Sequence, residues 1–548
     1  MEHEIKYKVI DSLDEIHLRD DLPTFADIET DGLYTNTRLI QLFQPDTSDI
    51  IYIIDTDEID LDEAKNFIKP LWTIWYNCSY DFGTLNMTTD KFDDCFYLVK
   101  SAYPEWQQFS LDVVVSKFGW DKLYEDLDKK DLQKQGFIKG AYLSGKQLRY
   151  SATDVYALWL IWQNKNIQNG REVLAYKVDM LSMKYAIQYQ QNGIPIDQMS
   201  VRKELDAMVD KIEENYRYLN GLNPNSPKQC KEALGVDKTD KNTLIKLISE
   251  GNQLAKVIFE QRRLLKKKTM LNSYNYPRVF TRYNVAGAAT GRFTATGGDM
   301  NRGINAQQIP RDLQYMFKST DSDKIVIEAD YSTLELRLAC ALFNEPAMYK
   351  QLKDGEDLHT SMAKFISGKD EVTKEERVKA KAINFGFVFG MSAPAFQEYA
   401  FVNFGVTMTQ EEARNIRNKY FKKYPNIAKY HKKVWDGVKE GGYIYTTALG
   451  RRTKPRLGTD GINGPVQGSG AETTKLAVHY MVKETNSECL KYIINVVHDA
   501  IYLEIPREDL EYWTKMLETS MIKGWEEISK TKAFFFKDIP MIAEVEEV

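Results

Sequence analysis

Asp330 lies in the run EADYSTLELR and Asp499 in INVVHDAIYLEI. Each follows an apolar, strand-like stretch, where a side chain can project from a sheet edge into a cleft. Between them, RVKAKAINFGFVFG spaces Arg377, Lys381, Phe385 and Phe389 four apart, so one helical face carries two cations and then two aromatic rings. Carboxylates that can hold metal ions, set opposite cations and rings, suit a reaction on a nucleoside triphosphate. Mg²⁺ prefers hard oxygen ligands and takes one or two carboxylates plus substrate phosphates. Two such ions roughly 3.5–4 Å apart stabilise the attacking and leaving oxygens of an in-line displacement. Asp330 and Asp499 would supply the carboxylates and the Tyr331 carbonyl a further ligand. Arg377 and Lys381 would meet the triphosphate, and Phe385 and Phe389 would wall the base and sugar. The layout points to nucleotidyl transfer.

A second set lies in the N-terminal third. Asp27 and Glu29, in FADIETDG, are two apart and share one face of a strand. Asp81 lies in YNCSYDFGTL and Asp154 in RYSATDVYAL, with Tyr150 one helical turn before Asp154. A D-x-E pair alone is usually a solvated turn or a helix cap. Four carboxylates in one place are costly unless cations neutralise them.

The chain resembles the family A DNA polymerases, the DNA polymerase I group, over nearly its whole length. DYSTLELR is similar to the family's motif A, RVKAKAINFGFVFG to motif B and VVHDA to motif C. TGRFTAT, NAQQIPR, EDLHTSMA, ALGRRT and NGPVQGSGAE agree with the family in the same order. The resemblance implies that Asp330 and Asp499 bind two catalytic Mg²⁺ ions, with Mn²⁺ able to substitute, and that Glu335 is the steric gate against a ribose 2′-hydroxyl. It implies that His359, Arg377 and Lys381 contact the incoming dNTP and that Phe385 packs on its sugar and base. Arg292, Asn463, Gln467 and His498 would track the primer terminus or the minor groove.

The N-terminal set resembles a 3′→5′ proofreading exonuclease of the DEDD type, with Asp27, Glu29, Asp81 and Asp154 holding two metals and Tyr150 orienting water. Two positions depart from the family. Phe389 stands where a tyrosine hydroxyl would bond the gate glutamate, so Glu335 is expected to be held less firmly. Ala500 replaces the glutamate of motif C, which implies altered metal dependence.

A chain of 548 residues, 43% hydrophobic, exceeds what one core holds and implies several domains. The expected fold class is α/β multi-domain: a ribonuclease H-like exonuclease domain and a right-hand polymerase domain. The segments are an exonuclease domain over 1–165, a helical connector and thumb over 166–278, palm over 279–340, fingers over 341–436, and palm again over 437–548. A net charge of −6 does not exclude a nucleic-acid partner. Acids at metal sites lower the sum, while a basic stretch such as QRRLLKKKTML either meets phosphates or is an ordinary solvated helix face; the resemblance, which places it in the thumb, implies the first. Five cysteines without a C-x-x-C pair argue against a zinc site or a disulfide framework. His479, in KLAVHYMV, reads as a packed helix residue.

Expected partners are primer–template DNA and dNTPs, with a processivity or single-strand-binding factor as a further candidate. A monomer is expected, with no membrane contact, in the cytoplasm. The compact layout and the Lys-, Tyr- and Asn-rich composition resemble a bacteriophage replicative enzyme. Two other functions stay open: a predominantly 3′→5′ exonuclease with a weakened polymerase half, and a non-catalytic DNA-binding replication module. The resemblance also implies that phenylalanine at 385, in place of the family's tyrosine variant, rejects dideoxynucleotides. Primer extension in mixed ddNTP and dNTP should terminate rarely; termination as efficient as incorporation would refute it.

Overall fold

The computed structural model describes residues 4–32, 35–297 and 303–548. Its first sheet has six strands in the order Lys6–Ile10, Ile50–Asp55, Thr37–Phe43, Pro23–Thr30, Trp72–Trp75, Lys91–Asp94. Thr37–Phe43, TRLIQLF, is buried along its entire length, as an interior strand covered on both faces must be. It runs antiparallel to both neighbours, whereas the remaining pairs are parallel. The helix Gly145–Trp162 covers this sheet and buries Tyr150, Val155, Leu158 and Ile161. Its start is set by a capping box between Ser144 and Gln147, which satisfies otherwise orphaned N–H groups.

The second large sheet has four antiparallel strands in the order Ile493–Val497, Ala500–Pro506, Lys324–Tyr331, Ala543–Glu547. Behind it the helices Gly458–Glu484 and Leu510–Ser529 lie in close contact. A Cβ on Gly524 would sit 2.8 Å from the Ala477 nitrogen and 2.9 Å from the Thr473 oxygen, so the absence of a side chain lets the two backbones meet. Helices between 334 and 440, including Lys374–Val388 with its Thr373–Glu376 capping box, pack together and share one core with the helix Gly458–Glu484. The long helices Gln198–Leu219 and Gln253–Ser273 pair with each other, joined by a buried Asn215–Gln261 hydrogen bond of 3.1 Å.

The basic run on the second of these helices is divided in its use. Arg262 donates to the Pro224 and Thr239 carbonyls and Lys267 pairs with Glu204 at 2.9 Å, while Arg263, Lys266 and Lys268 are exposed. Cys78, Cys95, Cys230, Cys340 and Cys489 are buried free thiols. Among the described residues, no helix is long and apolar enough to cross a membrane.

The N-terminal half is pinned to the C-terminal half by a buried ion triplet. Asp179, on the helix Leu174–Tyr189, accepts from Arg451 Nη2 at 2.5 Å and from Lys475 Nζ at 2.7 Å. Asp179 is 1% exposed and Lys475 fully buried. Burial pushes the Asp179 carboxyl up, but the two cations outweigh it and hold the group below its ordinary value of 3.8. A depressed folded pKa stabilises the fold above the unfolded value, and that stabilisation disappears as pH falls through the lower folded value. Removing the anion also leaves two buried cations uncompensated. Asp179→Asn should therefore cost about 3–5 kcal/mol at neutral pH, measured by urea unfolding. The gap to the wild type should narrow below about pH 4; a gap constant down to about pH 2 would refute the ionic account.

Candidate active sites

Asp330 comes next to last in the strand Lys324–Tyr331. The chain then turns sharply: Ser332 N–H donates to the Ile542 carbonyl at 2.9 Å, and Thr333 takes a left-handed conformation with φ 53°. The helix Leu334–Phe343 starts at once, with Glu335 in its first turn. Across the sheet, Val497 pairs with Ala500, so His498 and Asp499 form a two-residue turn. His498 also has positive φ, 55°. A non-glycine residue pays about 1–2 kcal/mol for that conformation, and such strain concentrates at functional turns. The two turns bring Asp330 and Asp499 to one mouth of the sheet.

The opposite wall is the helix Lys374–Val388. A cavity of about 500 Å³ opens between the two walls, lined by Arg292, Asp330, Tyr331, Glu335, His359, Arg377, Lys381, Phe385, His498, Asp499 and Glu544. Lys381 is exposed and has no ion-pair partner among the described residues. Arg377 Nε donates to Asp357 Oδ2 at 2.6 Å. Burial raises the Asp357 carboxyl, but the hydrogen bonds from Arg377 and Thr360 prevail and bring it to about 2. His359 Nδ1 lies 2.9 Å from Asn384 Nδ2, and its ring is 5.7 Å from that of Phe385. Burial lowers its pKa to about 4, so it is uncharged at neutral pH.

Three predicted residues lie outside this lining. Phe389 caps the end of the helix and packs against the core; Asn463 and Gln467 sit half-buried on the helix Gly458–Glu484. Glu335 departs from expectation in another way. Although Phe389 offers no hydroxyl, Arg292 Nη2 donates to Glu335 Oε1 at 2.8 Å, so the glutamate is held by a charge-assisted bond. The same bond engages Arg292 inside the protein. Glu544 was not foreseen. It stands opposite Asp330 in the strand register, and the polar–apolar alternation of AEVEEV was the signal for a strand there.

The second set also assembles. Carboxylate oxygens of Asp27 and Glu29, on the strand Pro23–Thr30, and of Asp154, on the helix Gly145–Trp162, all lie within 4.8 Å of one another. Asp81 is 4% exposed on the helix Ser79–Leu85 and adds its charge to that felt by Asp27. Tyr150 hydrogen-bonds the Asp154 carboxylate. Two further partners of Asp154 escaped sequence reasoning. Tyr124 Oη donates to Asp154 Oδ1 at 2.5 Å, and Lys129 Nζ lies 3.5 Å away while also pairing with Asp112. They come from DKLYEDLDKKDLQ, which carries no periodic apolar signal.

Burial first, and then the neighbouring carboxylates, push Asp27 and Glu29 well above the ordinary carboxylate range. Glu29 Oε1 is buried with no hydrogen-bond partner. An all-oxygen donor set with an orphaned acceptor fits a hard divalent cation. Raised folded pKa values mean that, above the unfolded values, the folded state holds more protons than the unfolded one, so stability falls as pH rises. In EDTA, the thermal midpoint should drop from about pH 5 to pH 8, and Mg²⁺ or Mn²⁺ should restore it. The double variant Asp27→Asn, Glu29→Gln should lose most of both responses; metal stabilisation equal to wild type would refute this.

Comparison with known proteins gives concordant matches. Residues 197–532 match the family model of DNA polymerase family A. DNA polymerase I of Aquifex aeolicus is 29% identical over 554 aligned residues, covering 91% of this chain and 91% of that protein. The DNA polymerase of Bacillus phage SP01 is 26% identical over 57% of this chain and 36% of that protein. Among solved structures, the POL domain of Pol1 from M. smegmatis, in complex with DNA primer-template and dNTP, superposes with a TM-score of 0.74 at 18% identity. That alignment covers 96% of this chain and 94% of that one, and it establishes the fold: α/β and multi-domain, as the sequence led us to expect.

Proposed function

This chain belongs to DNA polymerase family A, and from that premise we propose that it extends a DNA primer along a template, consuming dNTPs and releasing pyrophosphate, and removes mispaired 3′ ends at a second site. One observation carries the reading. A single cavity of about 500 Å³ sets two carboxylates from a sheet edge against the cation-and-aromatic face of a helix.

Asp330, Asp499 and the Tyr331 carbonyl would hold Mg²⁺ there. When bound, the ions would supply activation of the primer 3′-hydroxyl and charge stabilisation at the α-phosphate and the leaving pyrophosphate. Lys381 offsets charge on the departing phosphates, and Arg377 exchanges Asp357 for the triphosphate. His359, neutral and oriented by Asn384, contributes a hydrogen bond rather than a charge. Phe385 packs on sugar and base, and Glu335, pinned by Arg292, fills the space a 2′-hydroxyl would need. Asn463, Gln467 and His498 face the nascent pair. Closure of the helix Lys374–Val388 over a correct pair links base-pair shape to chemistry.

In the N-terminal unit, Asp27, Glu29, Asp81 and Asp154 would hold cations for hydrolysis of the terminal phosphodiester. Tyr150 orients the attacking water, and Tyr124 and Lys129 fix Asp154. On this reading, residues 1–165 are the exonuclease domain, 166–278 the connector and thumb, 279–340 and 437–548 the palm, and 341–436 the fingers. The remaining assignments are a monomer in the cytoplasm with primer–template DNA as partner. A phage origin has the phage relative and the compact two-site layout in its favour. Ala500, the substitution in motif C, favours the rival in which nuclease activity dominates.

The test uses a 5′-labelled primer–template with Mg²⁺, with and without dNTPs. Wild type should extend with dNTPs and shorten without them. Asp330→Ala should lose extension about a thousandfold or more, equivalent to at least ~4 kcal/mol of transition-state stabilisation, and keep shortening. Asp27→Ala should do the reverse. Shortening by wild type under both conditions would favour the nuclease rival, and loss of both activities in either variant, with the fold intact, would sink the two-site reading.

A further inference from the structure

A smaller cavity, about 110 Å³, lies on the seam between the N-terminal sheet unit and the rest of the molecule. One wall is the loop after the helix Cys95–Ala102, carrying Trp106 and Phe109; the other is the segment Arg452–Arg456. One backbone bond joins the walls, Lys454 N–H donating to the Pro104 carbonyl at 3.3 Å, and the Thr453 hydroxyl ties the second wall to a third segment by donating to the Ala289 carbonyl at 3.1 Å.

The charge of this cavity is one-sided. Arg452, Lys454 and Arg456 line it, and none has an ion-pair partner among the described residues. Asp179, the one acid among the described residues of the lining, is already neutralised by Arg451 and Lys475. Lys100 reaches in from behind and donates to the Ala286 carbonyl at 3.1 Å. Burial and then the Arg451 charge pull its pKa down to about 8, against the opposing pull of Asp179 and Asp94. A water needs about 10–15 Å³ by the same measure, so the space suits one phosphate group rather than a whole nucleotide. At its rim Trp106 is already ordered, stacked on Tyr103 with ring centroids 4.3 Å apart and an interplanar angle of 11°. Aromatic faces of this kind stack nucleic-acid bases without regard to sequence.

Its place along the chain indicates what would fill it. Ala289 lines this cavity and Arg292, three residues on, lines the large one. On the other side the Phe109 carbonyl accepts from Tyr76 Oη at 2.6 Å. Three residues later Asp112 pairs with Lys129, the lysine that also reaches Asp154. We propose that the seam cavity holds a backbone phosphate of a single DNA strand running between the two sites, with Trp106 stacking the adjoining base. The proposal rests on the two-site reading above.

The triple variant Arg452→Ser, Lys454→Ser, Arg456→Ser tests it on two substrates. The p-nitrophenyl ester of dTMP is too small to reach beyond the carboxylates, and its hydrolysis should stay within about twofold. Shortening of 5′-labelled dT15 should slow about tenfold. The slope of log binding constant against log salt for dT15, measured in Ca²⁺, should fall by about 0.7, the share of the one phosphate that the cavity neutralises. Equal loss on both substrates, or none on dT15, would overturn the proposal. A failure of wild type to hydrolyse either substrate would count instead against the carboxylate-site reading. The cavity can still be judged in that case, because 4-thiothymidine-substituted dT15, irradiated on the full chain in Ca²⁺, should crosslink within residues 103–109. Crosslinks confined elsewhere, or protection by dTMP as strong as by unlabelled dT15, would refute the strand assignment.

Discussion

The contact among Asp179, Arg451 and Lys475 is the constraint on which the rest of the architecture depends. Each residue comes from a different part of the chain: the helix Leu174–Tyr189, the segment after Leu449, and the long helix Gly458–Glu484. Burying three charges is unfavourable unless geometry and hydrogen bonding compensate, so this contact tolerates little displacement. Its neighbours are fixed with it. Lys475 also donates to the Gly291 carbonyl at 2.8 Å, which places the residue before Arg292. Glu472, one turn earlier, accepts from Thr447 and from the Leu449 N–H. Two candidate sites in separate sheets thereby share a rigid reference.

Each site then handles its negative charge differently. In the N-terminal set, acids face acids, and only Lys129 among the described cations approaches Asp154 within ion-pair distance. In the large cavity the acids stand at one wall and the cations at the other, with Arg292–Glu335 and Arg377–Asp357 already paired. The first arrangement calls for cations from solution. The second leaves Lys381 exposed, with no ion-pair partner among the described residues.

How much of this was legible in the sequence can be judged residue by residue. Asp27 and Glu29 could be placed on one strand face because a period of two needs no tertiary knowledge. The face Arg377–Lys381–Phe385 was legible for the same reason at a period of four. Tyr124 and Lys129 were not, because they sit in a 3-10 turn and at the start of a seven-residue helix, elements too short for a local pattern to show that they meet Asp154. The Arg292–Glu335 bond was illegible too. Its partners are 43 residues apart, and the missing hydroxyl at Phe389 pointed towards a looser glutamate than the guanidinium allows. Glu544 was visible as strand sequence, but its pairing with Asp330 is a matter of sheet order, which local pattern does not encode.

That sheet order has a consequence for how the molecule is made. The N-terminal sheet and its carboxylates are all in the chain by Asp154, whereas the strand facing Asp330 contributes Glu544, 390 residues later. Domains fold as units, N-terminal first, at a synthesis rate of about 5–20 residues per second, which leaves an interval of roughly 20–80 s. During that time the growing chain would carry a folded acidic cluster, and the strand Lys324–Tyr331, once made, would lack one neighbour until Ala500–Pro506 and the other until Ala543–Glu547. Exposed strand edges are templates for wrong pairing, so the order of synthesis makes the half that assembles last the half most in need of protection.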